Sequence, residues 1–196
     1  MSRHPLILAT ALVAGLAGPL AVSHAADNEF AEPLTALAQG QLREVAQNPT
    51  LIAAIMAQNQ VSAGYDAAKI DELDKQWRAE VDAASKPMID ATLANEASKY
   101  LVGVQAESAG LFTEIFATDA VGLNVAQSTV TSDYWQGDED KFTLSFGAGA
   151  DAVALGEVEQ DESTQTFQSQ VSITITDPAT GAPIGSITAG VDLSML

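Results

Sequence analysis

The pattern of apolar and polar residues changes near residue 110, from helical spacing before that point to strand alternation after it. Apolar residues from Phe30 to Val45 recur every three to five positions, and Pro33 suits the first turn of a helix. Asn48-Pro49 interrupts this pattern, because the residue before a proline disfavours helical geometry. We therefore expect a long N-terminal helix that kinks or restarts at Pro49.

Three further stretches before residue 110 show helical spacing. They read "TLIAAIMAQNQ" (50–60), "KIDELDKQWRAEVDA" (69–83) and "DATLANEASKYLVGVQAES" (90–108). In the second stretch, one helix face carries the apolar residues Ile70, Leu73, Trp77 and Val81. Residues 26–110 are therefore predicted to form a helical region.

Five stretches after residue 110 alternate apolar and polar residues and predict strands. They cover residues 111–119, 122–128, 151–160, 165–176 and 184–196. Short turns make most of the connections, which favours an antiparallel sheet. Helices followed by strands predict an α+β fold, with the sheet in residues 111–196.

The fourth predicted strand separates an apolar face from a polar face. Its apolar face consists of Phe167, Val171, Ile173 and Ile175. Its polar face consists of Thr166, Gln168, Gln170, Ser172 and Thr174. We expect the apolar face to pack on the N-terminal helices. The polar face is then either exposed to water or the floor of a polar pocket.

The first 25 residues have the pattern of a secretory signal peptide. Arg3 precedes an apolar run from Leu6 to Val22, and Ser23-His24-Ala25 offers the small residues that a signal peptidase reads. The alternative is a retained membrane anchor, but a run of about 17 residues is at the short limit for a membrane span. We therefore expect cleavage after Ala25 and a soluble protein that is periplasmic or secreted.

The residue types left after this cleavage exclude several kinds of chemistry. The chain has no cysteine, and both histidines, His4 and His24, lie in the predicted signal peptide. Catalytic triads, imidazole acid–base catalysis and histidine-ligated zinc are therefore excluded. Glycosidase-like catalysis needs two acids that converge in a cleft, and nothing in the spacing indicates such a pair. We expect no enzyme activity, no cofactor and no metal ion.

The chain is strongly acidic. Its net charge is −18, and loss of Arg3 with the signal peptide takes it to −19. Beyond Tyr100 there are 14 acidic residues and a single basic one, Lys141. Such a charge repels nucleic acid and anionic membrane surfaces, so neither is expected as a partner.

Residues 131–140, "TSDYWQGDED", hold the densest group of distinctive side chains. Tyr134 and Trp135 combine a large contact area with a hydrogen-bonding group, as in many ligand pockets. The three consecutive acids at 138–140 lack the alternate spacing of a calcium loop. Three consecutive side chains cannot all face one ion. A solvated acidic turn is the preferred interpretation of these acids, and a calcium site is the alternative.

Taken together, these stretches resemble a Cache domain, the PAS-like extracytoplasmic sensor fold also called a PDC sensor domain. The resemblance covers about residues 28–196. It depends mainly on the hairpin "EIFATDAVGLNVAQS", the segment "TSDYWQGDEDKF" that follows it, and the closing strand "PIGSITAGVDL". It implies a five-stranded antiparallel sheet packed on long N-terminal helices.

The resemblance also implies a function. Cache domains bind amino acids, carboxylates, amines or purines between one sheet face and the segment after the second strand. A ligand would then be enclosed by closure of residues 129–142. Since the sequence stops at Leu196, just past the last strand, any signal is expected to pass to a separate membrane receptor or kinase. The N-terminal helix is a candidate surface for a homodimer or for that partner.

Eight residues are predicted to bind the ligand: Ser128, Thr131, Asp133, Tyr134, Trp135, Lys141, Gln168 and Gln170. Asp133 either accepts a ligand ammonium group or caps a helical turn. Lys141 either holds an anionic ligand or neutralises the acids beside it. The alternative function is a structural or assembly partner that keeps the fold without a working pocket.

Overall fold

The structure is a computed structural model that describes residues 22–24, 29–160 and 166–196. Of the predicted signal peptide, only the backbone of Val22–His24 is described, and the rest of that segment lies outside the described residues. Across the described part of the chain, no helix is both long enough and apolar enough to cross a membrane.

Helices make up most of the chain before residue 110. They are α1 (Ala31–Leu37), a π-helical segment (Ala38–Leu42), α2 (Arg43–Ala46), α3 (Pro49–Ser62), α4 (Ala67–Val81), α5 (Pro87–Ala94) and α6 (Glu96–Glu107). The restart at Pro49 was predicted, and the Asn48 side chain caps α3 by accepting hydrogen bonds from the N–H groups of Thr50 and Leu51. The predicted helix over 90–108 is divided, because Asn95 is extended and caps α6.

Within the described residues, seven strands form one sheet. They are β1 (Val22–His24), β2 (Phe112–Asp119), β3 (Asn124–Gln127), β4 (Val153–Leu155), β5 (Glu159–Gln160), β6 (Phe167–Thr176) and β7 (Pro183–Asp192). The order is β1-β4-β6-β7-β2-β3, and β5 pairs with the start of β6. All pairings are antiparallel except β1 with β4. The predicted α+β fold is confirmed, although the predicted strand 151–160 is divided into β4 and β5.

One sheet face packs on the N-terminal helices. Val171, Ile173 and Ile175 of β6 are buried there in one cluster with residues of α1, α3 and α6. The predicted apolar face of this strand is therefore confirmed for three of its four residues. Phe167 is the exception, with 54% of its surface exposed, because its neighbour there is the exposed strand β5.

The opposite sheet face is polar, and the chain between β3 and β4 crosses it through α7 (Asp140–Thr143) and a 3₁₀ turn at Phe146–Ala148. Buried hydroxyl groups form pairs across the strands on this face. Thr118 Oγ1 lies 2.8 Å from Ser186 Oγ, and Ser172 Oγ lies 2.8 Å from Thr188 Oγ1. Most of this face is therefore closed by its own hydrogen bonds, as expected for buried polar groups.

A second, smaller apolar cluster lies beside the main core. Its centre is Trp77 of α4, which is fully buried against Ile89, Leu123 and Tyr134. Ile70, Leu73 and Val81 pack around it, so the predicted apolar face of α4 is confirmed. This cluster joins α4 to the chain that follows β3.

Candidate ligand-binding site

Segment 131–137, which contains the two adjacent rings, is fixed to α4. Asp74 Oδ1 accepts hydrogen bonds from the backbone N–H groups of Tyr134 and Trp135, at 2.9 and 3.0 Å. The Trp77 indole N–H donates to the carbonyl of Thr131 at 2.9 Å. These contacts hold the first part of the segment in place.

Two glycines bring the same segment against the turn before β3. Gly122 has φ +87°, a conformation that side chains disfavour. A Cβ atom on Gly122 would lie 2.5 Å from the Cα of Gly137, so only glycine permits this approach. The N–H of Gln136 donates to the Gly122 carbonyl at 2.8 Å. The segment thus extends the edge of the sheet.

The two rings serve different neighbours. Tyr134 is buried and stacks on Trp77, with ring centroids 5.2 Å apart. Burial raises the pKa of Tyr134 to about 12, and the charge of Asp119 acts in the same direction. Trp135 is half-buried and donates its indole N–H to the carbonyl of Val121 at 2.8 Å.

Thr131 and Asp133 belong to a hydrogen-bond network inside the segment. The Asn124 amide donates to Thr131 Oγ1 at 2.8 Å and to the Asp133 carbonyl at 3.0 Å. Gln136 donates to Asp133 Oδ1 at 2.6 Å, and Arg78 forms an ion pair with Asp133 at 3.3 Å. The carboxylate of Asp133 is therefore engaged by protein groups.

Among the described residues, three buried side-chain atoms in this region have no hydrogen-bond partner: Asn124 Oδ1, Gln127 Nε2 and Gln136 Oε1.

Ser128, the remaining residue predicted at the end of β3, joins two strands. Its hydroxyl oxygen accepts a hydrogen bond from the N–H of Ile115 at 2.9 Å, while its own N–H donates to the Ile115 carbonyl at 2.8 Å. The structure therefore places Ser128 in the sheet ladder.

Lys141, Gln168 and Gln170 are the predicted residues that do come together at a cavity. Lys141 and Gln170 line two adjoining cavities of about 300 and 260 Å³ between α7 and the polar face of β6, and Gln168 lines the smaller one. Four glutamates and Asp140 add acidic groups to the lining. We call the whole space the acidic cleft, and its charged and amide residues are Glu114, Glu139, Asp140, Glu157 and Glu159 with Lys141, Gln168 and Gln170.

The floor of the acidic cleft depends on a glycine in the central strand β7. Gly190 lies between Glu114 of β2 and Gln170 of β6. The Gln170 amide donates across it to Glu114 Oε1 at 3.1 Å. A Cβ at residue 190 would lie 2.4 Å from Thr113 Oγ1 and 3.0 Å from Glu114 Cγ, so glycine keeps this floor open.

The roof of the acidic cleft comes from α7 and the residue before it. The Lys141 ammonium forms an ion pair with Glu139 at 2.9 Å and lies 5.4 Å from the centre of the Phe116 ring. Four glutamates and Asp140 against one lysine leave a net charge of −4 in the lining. Because Lys141 is already paired, the cleft offers carboxylates that are best suited to a positively charged group.

The acids do not converge on a metal ion. Among the residues that the structure describes, no group of three or more carboxylates is placed to bind one. Glu114, Glu157 and Glu159 stand on separate strands and loops around the cleft. The glutamates are therefore distributed around the lining of the cleft.

Sequence reasoning missed Glu114, Gly190 and Asp74. Glu114 is two residues before Phe116 in β2, and residues two apart on a strand share a face. The alternation along this strand could therefore have placed Glu114 on the polar face of the sheet. Gly190 interrupts a well-formed strand, which often marks a close approach. Asp74 carried no signal, because its partners lie 60 residues later in the chain.

Neither a known protein family nor a curated protein sequence matches the chain. Solved structures match at low identity. The sensor domain of the histidine kinase DctB from V. cholerae is 16% identical, with TM-score 0.40, over 85% of this chain and 58% of that one. The ligand-binding domain of the amino acid chemoreceptor PctC from Pseudomonas aeruginosa PAO1, in complex with GABA, is 13% identical, with TM-score 0.41, over 83% and 63%. The sensory domain of the chemoreceptor Tlp3 from Campylobacter jejuni, with isoleucine bound, is 10% identical, with TM-score 0.37, over 86% and 64%.

These structures are sensor domains of a histidine kinase and of chemoreceptors, the class to which the Cache resemblance points. The chain spans about three fifths of their length, between 58% and 64%.

Proposed function

We propose that this protein is an exported, sensor-type binding domain that holds a small polar metabolite in the acidic cleft. The observation that carries the proposal is the convergence of Lys141, Gln168 and Gln170 with four glutamates around one polar cavity. Binding of this kind needs no catalytic group. Export is supported by the N-terminal sequence pattern, and a link to a membrane receptor or kinase is supported by the Cache resemblance.

The charge of the acidic cleft favours a ligand with an ammonium group. An amine or the ammonium end of an amino acid would gain from Glu114, Glu157 and Glu159, none of which has an ion pair with a described residue. A carboxylate ligand would meet repulsion from the same groups, with only the paired Lys141 to offset it. Amines are therefore proposed ahead of carboxylates and purines.

The part that moves on binding is proposed to be α7. Residues 131–137 are fixed by Asp74, Trp77 and the contact between Gly122 and Gly137. Residues 139–141 stand over the cleft and have fewer such anchors. A ligand that binds Glu139 would shift the balance between open and closed positions of α7, and that shift would be the signal.

A thermal-shift screen tests this function. We expect an amine present at 100 times its dissociation constant to add about 2.7 kcal/mol to the free energy of unfolding, or roughly 5–10 °C. Carboxylates of the same size should give no shift. Gln170→Ala should abolish the shift, and Gln60→Ala on the exposed side of α3 should preserve it.

One observation favours the alternative, a structural or assembly partner without a ligand. The hydroxyl groups over most of the polar sheet face are already paired with one another. If no amine, amino acid, carboxylate or purine raises the melting temperature, this alternative replaces the binding function. A shift that survives Gln170→Ala would move the site away from the acidic cleft.

A further inference from the structure

Helix α3 has an unusual surface for so acidic a protein. No charged residue lies between Glu44 and Asp66, although the chain has 34 charged side chains, 8 basic and 26 acidic. One side of α3 is buried in the core through Leu51 and Ile55. The other side exposes Met56 and Val61, which are 42% and 62% exposed. An apolar surface on the solvent side of a helix commonly marks an interaction site.

A cavity of about 670 Å³ lies along this exposed side. We call it the helix-side groove, and its walls come from five separate segments. The walls include Ala57 and Val61 of α3, Leu73 of α4, Ala97 of α6, Val125 of β3 and Tyr134. The volume lies within the range of sites that bind small molecules, roughly 300–1,000 Å³. It is on the opposite side of the sheet from the acidic cleft.

The two amide side chains in the lining of the helix-side groove already form hydrogen bonds within the protein. Gln58 donates to Asp119 Oδ2 at 3.2 Å and to the carbonyl of Asn124 at 3.2 Å. Asn95 donates to the Val125 carbonyl at 2.8 Å and accepts from the Ser98 N–H at 2.7 Å.

The one charged residue in the lining is Glu96, which forms an ion pair with Lys99 at 2.7 Å. The groove therefore offers mainly apolar area, and its amide and carboxylate groups already have partners within the protein. A charged ligand entering it would lose water without gaining a partner.

We propose that the helix-side groove is a second binding site, for an uncharged and largely apolar small molecule. Apolar contact with Ala57, Val61 and Leu73 provides the affinity, and Tyr134 forms part of the wall. A second copy of the chain is a poorer occupant, because two copies of charge −18 repel each other. The site does not depend on the function proposed for the acidic cleft.

Two related dyes test the chemical class of the ligand. N-phenyl-1-naphthylamine is uncharged, and 8-anilinonaphthalene-1-sulfonate carries a negative charge on the same ring system. The two tryptophans of the chain, Trp77 and Trp135, lie beside Tyr134, so a dye in the groove accepts energy from them. We expect saturable binding of one uncharged dye per chain, with at least about tenfold weaker binding of the anion.

A matched pair of variants locates the dye. Ala57→Phe fills the groove, whereas Gln60→Phe places the same ring on an exposed position of the same helix outside it. We expect Ala57→Phe to weaken binding of the uncharged dye at least about tenfold and Gln60→Phe to leave it within about twofold. Gln170→Ala, in the acidic cleft, should leave it unchanged.

Three results would overturn the proposal. The first is a failure of the dye test: either the uncharged dye shows no saturable binding, or it binds Ala57→Phe as tightly as wild type. The second is equal affinity for the anionic dye, which would remove the assignment to uncharged ligands. The third is a dimer in analytical ultracentrifugation that Ala57→Phe converts to a monomer, because a second copy would then occupy the groove. Failure of the amine screen would leave this proposal unaffected.

Discussion

Tyr134 and Trp135 are adjacent in sequence, yet their hydroxyl and indole groups have different structural tasks. The Tyr134 ring stacks on Trp77, while Trp135 bonds the turn before β3. The sequence indicated that these rings mattered, since aromatic pairs in a polar loop need a burial partner. It could not say which ring would face a cavity, because that depends on Trp77, more than fifty residues earlier.

The raised pKa of Tyr134 makes the free energy of unfolding decrease at alkaline pH. The folded state keeps the hydroxyl protonated up to about pH 12, while an unfolded tyrosine ionises near pH 10. The stabilisation is therefore complete below about pH 10 and is lost as the pH rises toward 12. Between pH 9 and 11.5, wild type should lose about 2 kcal/mol more of its unfolding free energy than Tyr134→Phe.

Urea unfolding at the two pH values measures this difference. Every other titrating group is present in both proteins, so its contribution cancels when wild type is compared with Tyr134→Phe. Absorbance at 295 nm reports tyrosine ionisation independently. Equal losses in wild type and Tyr134→Phe would show that the Tyr134 hydroxyl titrates as it does in the unfolded chain.

At the scale of elements, α4 and the segment after β3 depend on each other. The periodicity of α4 correctly predicted its apolar face, through Trp77 and its neighbours. The polar side of the same helix decided more about the site, because Asp74 fixes the backbone at Tyr134 and Trp135. Such a contact has no local pattern in the sequence.

Asp74→Ala should destabilise the protein by about 1–3 kcal/mol, because two backbone N–H groups lose their acceptor. Asp71→Ala is the matched control. Both aspartates form ion pairs with a residue four positions later, Arg78 and Lys75, but Asp71 has no hydrogen bond or ion pair with a described residue outside its own helix.

Chemical denaturation compares the two variants, and Asp71→Ala should stay within about 0.5 kcal/mol of wild type. If both variants lose the same stability, the contact with the segment contributes nothing beyond the surface ion pair.

At the scale of the whole molecule, negative charge dominates. The net charge is −18, and the described residues form only six ion pairs. Self-repulsion of this size opposes the compact state, and dissolved salt screens it. The same charge sets the character of the acidic cleft, while the helix-side groove is largely free of it.

Sodium chloride should therefore raise the melting temperature as its concentration increases from 20 mM to 500 mM. Calcium chloride at equal ionic strength should give the same rise, because no described cluster of acids is placed to bind a metal ion. A melting temperature that is independent of salt would contradict the first expectation. A larger rise with calcium would restore the calcium site considered from the sequence.

The sequence by itself determined the order of helices and strands, the apolar face of each element and the overall charge. These properties depend on residues a few positions apart. At that range, the periodicity of apolar residues and the prolines or asparagines that interrupt it determine the local structure. Only the tertiary structure decided that Lys141 and Gln170 line one cleft with Glu114. It also decided that Ser128 bonds Ile115 and Thr131 bonds Asn124, and that Tyr134 lines the helix-side groove. Each of these outcomes depends on which distant strand or helix lies opposite, and side chains that meet across the sheet carry no common local signal.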